Sequence, residues 1–444
     1  MKIQLSDHFT YKKLFQFTLP PIAMMIFTSI YGVVDGFFVS NFVGETPFAA
    51  INFIMPFIMI LGAFGFMFGT GGSALISKTL GEGEDEKANR LFSMLTCVSA
   101  GVGVVIAILG ILFVRPLAAL LGAEGAMLED CVLYGRIILA AMPAFMLQQE
   151  YQSFCVVAEK PQLGLAATVA AGVANMVLDA LFIAAFSWGV AGAALATAVS
   201  QIVGGAIPII HFLRHGAGRI HLVKPTFDGR GLIRACANGS SELMSNAAMS
   251  IVGMLYNIQL MKYAGEAGVA AYGVMMYVGM IFVAIFIGYI IGVAPVVGYH
   301  YGAQNHGELG SLLKKSLIII GGFSAAMAIA GFVLARPLGL IFMSASPDTL
   351  ALTIRCLKVS SLQFLFCGLA IFGSGFFTAL NNGLISALIS FLRTLVFHVA
   401  AIMLLPLIWD PAIDGIWVSI VVAEVTAAVM TVIFLAVNKK RYKY

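Results

Sequence analysis

Two acidic residues, Asp35 and Asp179, stand inside long apolar stretches of this chain, where an ionised carboxylate costs on the order of 2.5 to 3.5 kcal/mol by insertion scales. Residues held at that cost need a partner or a task. Asn175 lies four residues before Asp179, so the two share one helix face. Thr197 falls in the next apolar stretch, at a depth that matches both acids. Carboxylate, amide and hydroxyl oxygens together suit a hard cation. Two carboxyls brought close cannot both ionise cheaply, so the pair holds a proton or binds an ion such as Na⁺. Either state makes the cluster a cation switch. The competing reading is an interhelical hydrogen-bond network that only holds the bundle together.

The elements that carry these residues are membrane helices. Sixty per cent of the chain is hydrophobic and ten per cent charged, with a mean hydropathy of +0.98; a soluble domain of this composition would expose most of that apolar surface. Twelve stretches are long enough to cross a hydrocarbon core of roughly 30 Å as helices. They lie near 14–39, 50–76, 92–114, 131–157, 162–186, 189–212, 235–261, 269–297, 316–335, 350–378, 384–408 and 415–437. Even parity puts both termini on one side. The termini and one set of loops carry most lysines and arginines, whereas the other set carries only Arg115, Lys262 and Arg336. The expectation is therefore a multi-pass protein of the cytoplasmic membrane with both termini in the cytoplasm. The net charge of +4 is spread over separate loops rather than one stripe, which argues against nucleic acid as a partner. The six cysteines form neither a CxxC pair nor a disulfide framework. The polar start, with Asp7 and no small-residue cleavage site, does not read as a removable signal.

The chain also repeats itself. Gly44-Glu45 returns as Gly265-Glu266, Arg115-Pro116-Leu117 as Arg336-Pro337-Leu338, and Trp188 as Trp409, each 221 residues later. This divides the chain into an amino-terminal six-helix lobe (1–214), a basic linker (215–234) and a carboxy-terminal six-helix lobe (235–444). Duplicated membrane halves place a substrate path between them. The repeat is also an internal control: at the same shift Asp35 falls on Tyr256, Asn175 on Val396, Asp179 on Ala400 and Thr197 on Val418. A group needed to fold the unit would be needed twice, so restriction to one copy favours function. A late drift of one or two residues would bring His398 near the place of Asn175. Pro20-Pro21 in the first helix predict a bend.

Other intramembrane polar residues are less specific. Glu242, near the inner end of the seventh helix, is a candidate for a cation or cationic substrate, with simple pairing as the rival. Glu150 is a candidate inner gate beside Gln148 and Gln149, and Gln149 a candidate substrate contact. Arg393 and Glu424 are expected to neutralise each other, and His398 to be a hydrogen-bonded interior residue. Tyr272 and Met276 of the eighth helix are candidates for a cavity wall suited to apolar or cationic ligands.

The stretch Tyr31-Gly-Val-Val-Asp35, the pattern Asn175-Met-Val-Leu-Asp179 and the run Gly189 to Thr197 resemble the multidrug and toxic compound extrusion (MATE) family. Asn238-Gly-Ser-Ser-Glu242 through Gly268-Val-Ala-Ala-Tyr272 to Gly298-Tyr-His-Tyr-Gly302 is similar to its MepA-like subgroup. The resemblance covers essentially the whole chain. It implies an all-α membrane protein of twelve helices in two pseudo-symmetric six-helix bundles, exporting amphipathic or cationic compounds as Na⁺ or H⁺ enters. It implies that Asp35, Asn175, Asp179 and Thr197 match the amino-terminal-lobe cation cluster and that Glu242 matches an acidic residue of the seventh helix. One departure stands out: Phe364 to Phe377 contains no carboxylate where some members carry an aspartate.

Three further expectations follow. The chain needs no cofactor beyond its coupling ion and works as a monomer among membrane lipid. It is not an enzyme: an intramembrane protease built on Asp35 and Asp179 would lack a GxGD signature and leave Asn175 and Thr197 idle, and no nucleotide-binding loop is present. The rival transport reading is a flippase or exporter of a lipid-linked or other endogenous metabolite. Such a protein needs basic residues in its cavity, for which only Arg136, Arg355, Lys358 and Arg393 are candidates.

Overall fold

The computed structural model describes residues 3–214, 218–343 and 347–444; residues 215–217 of the linker lie outside the described residues. The chain is built from helices α1 (Tyr11–Phe42), α2 (Glu45–Gly81), α3 (Asp85–Leu120), α4 (Gly125–Ala140), α5 (Met142–Val157), α6 (Pro161–Asp179), α7 (Gly189–Leu213), α8 (Gly229–Gly302), α9 (His306–Met343), α10 (Pro347–Ser360), α11 (Phe364–Ala379), α12 (Gly383–Phe391), α13 (His398–Ile408) and α14 (Ala412–Tyr442). No strand occurs among the described residues. Helix starts follow local chemistry. Thr10 accepts from Lys13 N at the head of α1, Asp228 from Arg230 N and Gly231 N at the head of α8, and Asn382 from Ile385 N at the head of α12. Pro161 opens α6, where its missing N–H costs nothing. α1 runs as one unbroken helix through Pro20 and Pro21.

Ten helical segments among the described residues are long and apolar enough to cross a membrane, and α4 with α5 forms a further span bent by 57°. α8 contains two crossings. Its two limbs meet at Gly265, whose φ of 60° and ψ of −154° suit only glycine. Tyr256 and Tyr272 would stand about 24 Å apart on a straight helix, yet their rings stack at 5.2 Å, so the chain folds back between them. Twelve crossings result, as the hydropathy pattern predicts.

The repeat is visible in the backbone. The break between α4 and α5 at Ala141 has its counterpart in the 3₁₀ turn Ser361–Gln363 between α10 and α11, 221 residues later. Each half also contains a wide π turn, Ala180–Ala185 after α6 and Leu392–Phe397 between α12 and α13. These fall in equivalent spans but not at equivalent points.

The repeat divides the helices into α1 to α7 and α8 to α14, and α8 packs along α1 and α2. Both chain ends come to one end of the bundle, where His8 meets Glu308 and Tyr444 meets Gly310. There the lobes approach to backbone contact. A Cβ on Gly302 would sit 2.1 Å from the Lys78 carbonyl oxygen, and one on Gly239 1.9 Å from that of Met67. Towards the opposite end the lobes part around a cavity of about 760 Å³, lined by Pro56 of α2 and by Met249, Ser250, Gly253, Met254 and Asn257 of α8. The linker is not loose: Arg219 forks onto Asp85, His221 N donates to Asn89 Oδ1 at 2.9 Å, and Val223 N to Ser93 Oγ at 2.8 Å. The Asp85 carboxylate beside Arg219 raises its already high basicity. Residues 229–234, expected in the linker, already belong to α8.

Candidate functional site

α1, α6 and α7 converge in the amino-terminal lobe. They can approach closely because Gly172 of α6 offers only a hydrogen towards Phe27 and Tyr31 of α1. Asp35 projects from α1 towards Asn175 and Asp179 of α6, near enough for side-chain hydrogen bonding with each. Thr197 of α7 stands beside Tyr134, with both acids also near that phenol. Asn175 and Asp179 are fully enclosed, at 2 % and 0 % exposure. The helix widens into its π turn immediately after Asp179, a distortion that recurs at functional sites.

The cluster combines two carboxyls with an amide and a hydroxyl. Asp35 Oδ1, both carboxyl oxygens of Asp179, Asn175 Nδ2 and Thr197 Oγ1 are all buried without a hydrogen-bond partner of good geometry. A buried polar atom left unpaired costs roughly 1–3 kcal/mol. Several such atoms fall on this one small set of side chains. The donor set suits a proton or a hard monovalent cation. Among the described residues no group of three His, Cys, Asp or Glu side chains has the arrangement of a metal site.

α1 links this cluster to the other lobe. A Cβ on Gly288 of α8 would lie 2.5 Å from Ile22 Cα, and one on Gly292 3.0 Å from Thr18 Cα, so α1 lies backbone to backbone against α8. The helix that carries Asp35 therefore contacts both lobes. None of the four cluster residues lines the inter-lobe cavity.

The remaining candidates separate clearly. Glu242 lies 7 and 11 residues before Met249 and Gly253 on α8, hence on the face that walls the cavity and two turns nearer the chain termini. Its nearest charge is Arg393. Arg393 is itself clasped by Glu424, with Nε and Nη2 donating at 2.9 to 3.1 Å, so these two neutralise each other. His398 Nδ1 sits 2.8 Å from the Arg393 carbonyl. Glu150 is wholly buried beside Ser99 with both carboxyl oxygens unpartnered. Gln149 accepts from Gln152 Nε2 at 2.8 Å.

Tyr272 lies inside the carboxy-terminal lobe, stacked on Tyr256, while Met276 is exposed. Neither lines the cavity, whose wall comes from the first limb of α8. Its methionines, Met249, Met254 and Met261, were missed because methionine occurs on both limbs and composition does not say which limb faces the other lobe. The 7- and 11-residue spacing from Glu242 was the signal available.

The MatE family model matches the chain twice, over residues 20–181 and 243–404. The multidrug export protein MepA of Staphylococcus aureus (strain MSSA476) is 25% identical over 376 residues, 84% of this chain and 82% of that one. MepA of Staphylococcus haemolyticus (strain JCSC1435) is 25% identical over 374 residues, with the same coverage. Among solved structures, a MATE in complex with MaL6 superposes with a TM-score of 0.93 at 22% identity, covering 98% of both chains. The outward-facing conformation of a multidrug resistance MATE family transporter of the MOP superfamily gives 0.92 at 23% identity, covering 98% of this chain and 97% of that one.

Proposed function

This chain belongs to the MatE family of transporters, and from that premise we propose that it is a cation-coupled antiporter that exports amphipathic, often cationic organic compounds by alternating access. Its relatives' names as multidrug export proteins support the substrate class. The observation that carries the coupling is the set of unpartnered oxygens on Asp35, Asp179 and Thr197, of which Asp35 rides on α1, the helix that also touches the second lobe.

In this cycle, a Na⁺ or H⁺ captured between Asp35 and Asp179, with Asn175 and Thr197 as further ligands, offsets the repulsion between the two carboxyls and draws α6 and α7 towards α1. Because α1 lies against α8 at Gly288 and Gly292, any shift of α1 is felt across the lobe interface. The inter-lobe cavity then opens at one end or the other. Glu242, on the cavity face of α8, attracts cationic substrate, and the methionine-lined wall accommodates varied apolar surfaces. One positive charge crossing ~100 mV supplies roughly 2.3 kcal/mol towards export of an uncharged compound; one-for-one exchange with a monovalent cationic compound is electroneutral and draws on the ion's concentration gradient alone. The termini face the cytoplasm in this scheme, and the chain acts as a monomer.

A lipid-linked phosphate substrate would need free basic groups in the cavity. Of the four candidates, Arg393 is held by Glu424, Arg355 by Asp414, Lys358 lies over the Phe332 ring and Arg136 is exposed; the cavity itself is lined by one basic residue, Lys262, so transport decides between the two readings. The test is efflux of a fluorescent organic cation from proteoliposomes under separately imposed Na⁺ and pH gradients. Asp179→Asn should abolish the gradient-driven component while the protein stays folded. Full coupling in that variant would reject the assignment.

A further inference from the structure

The segment before α1 is held at a junction that the cation cluster and the cavity do not use. Leu5 and Phe9 are completely buried. Between them the chain turns on itself, with Asp7 N donating to Gln4 O at 3.2 Å and Gln4 N to Asp7 Oδ2 at 3.0 Å. Lys13 Nζ, on the first turn of α1, clamps the same carboxylate at 2.9 Å. One side of this strap reaches the amino-terminal lobe, where Leu5 N donates to Glu159 Oε1 at 2.9 Å in the turn between α5 and α6. The other side reaches the carboxy-terminal lobe. Phe9 N donates to Glu308 Oε1 at 2.9 Å, His8 Nδ1 pairs with Glu308 Oε2 at 2.6 Å, and Lys315 Nζ donates to the Phe9 carbonyl.

Glu308 is the centre of this junction. It is only 7 % exposed, and its own N–H is turned onto Asn305 Oδ1. His300, 3 % exposed, faces it from the end of α8 and lies against the Asp7 backbone. The ion pairs Arg115–Glu129, Arg355–Asp414 and Arg393–Glu424 each stay within one lobe. His8–Glu308 joins two. The lobes also meet at this end at Gly239 and Gly302, and Asn381 Nδ2 donates to the Ala74 carbonyl at 3.1 Å across them. If the lobes separate here, either the Glu159 or the Glu308 attachment must break.

We propose that Glu308 is a positioning residue of the transport cycle: by fastening the strap 3–10 to α9, it stabilises the state in which the lobes are closed at the end that bears the termini. This rests on the alternating-access reading above, and its test does not depend on transport. Spin labels at exposed Lys87 of α3 and Lys314 of α9, in a background lacking the exposed Cys97, report lobe separation at that end by pulsed dipolar spectroscopy. Glu308→Ala removes both acceptors of the strap and should raise the ratio of separated to closed populations about tenfold. His8→Ala, which leaves the Phe9 bond in place, should do less, and Glu308→Asp should restore part of the wild-type distribution. A merely structural role would lower thermal stability and leave the distances alone. An unchanged distance distribution in folded Glu308→Ala overturns the proposal, as does an increase with no rescue by aspartate. A shift in distances without gradient-driven efflux in the wild type would leave the strap standing and reject antiport instead.

Discussion

Removing the positive charge from the Arg393–Glu424 pair should produce a defect that a second substitution repairs. Arg393 gives Glu424 three contacts of 2.9 to 3.1 Å, with the carboxylate 3 % and the guanidinium 17 % exposed. Breaking a buried pair by deleting one partner typically costs about 3–5 kcal/mol, because a charge is stranded. Arg393→Met strands a carboxylate on a side chain only 3 % exposed, so the single variant should lose about 3–5 kcal/mol of unfolding free energy. Adding Glu424→Met should recover most of the loss, since replacing both partners by apolar groups is often neutral. Reversible unfolding in mixed micelles, followed by circular dichroism, gives both quantities. A single variant as stable as the wild type, or a double variant as unstable as the sum of the singles, would refute the reasoning.

Gly302→Ala places a methyl carbon 2.1 Å from a backbone oxygen. An overpacking cost of about 1–3 kcal/mol should therefore shift the lobes roughly 5- to 150-fold away from closure at the termini end, visible with the same spin-label pair; an unaltered distribution counts against the interface. Tyr256→Phe deletes a hydroxyl bonded to Ser419 Oγ at 2.9 Å in the carboxy-terminal core and should cost about 1 kcal/mol of unfolding free energy without altering coupling, measured side by side in micelles and proteoliposomes. Partial burial pushes the Asp7 carboxyl up, but the Gln4 N–H and the Lys13 ammonium outweigh it and hold it below its usual value. Its contribution is present above the ordinary aspartate value and is lost as pH falls through the lower folded one. Hydrogen exchange at Leu5 and Phe9 should thus stay constant from pH 7 to 5, after correction for intrinsic rates, and quicken only below about pH 4.

Much of this architecture is written in short-range pattern. Apolar runs specify spans because lipid leaves the backbone no partner but itself, and the 221-residue repeat announces paired bundles. The spacing of Asn175 and Asp179 places them together because both ride one helix. That Arg393 should meet Glu424 was equally legible, since their spans are joined by a short loop. The strap was not. A polar start such as His8-Phe9-Thr10 reads as a tail, and its acceptors lie 154 and 300 residues away.

What the sequence determined by itself, then, is the number of crossings, their duplication, and which half holds the acids; each follows from hydrophobicity and local spacing along one chain. Only the tertiary structure decided that Asp35 reaches Asp179 across two helices, that the first limb of α8 rather than the second walls the cavity, and that Glu308 ties the lobes. Those depend on how helices rotate and close upon one another, and that is set by packing at glycine contacts distributed over the whole chain.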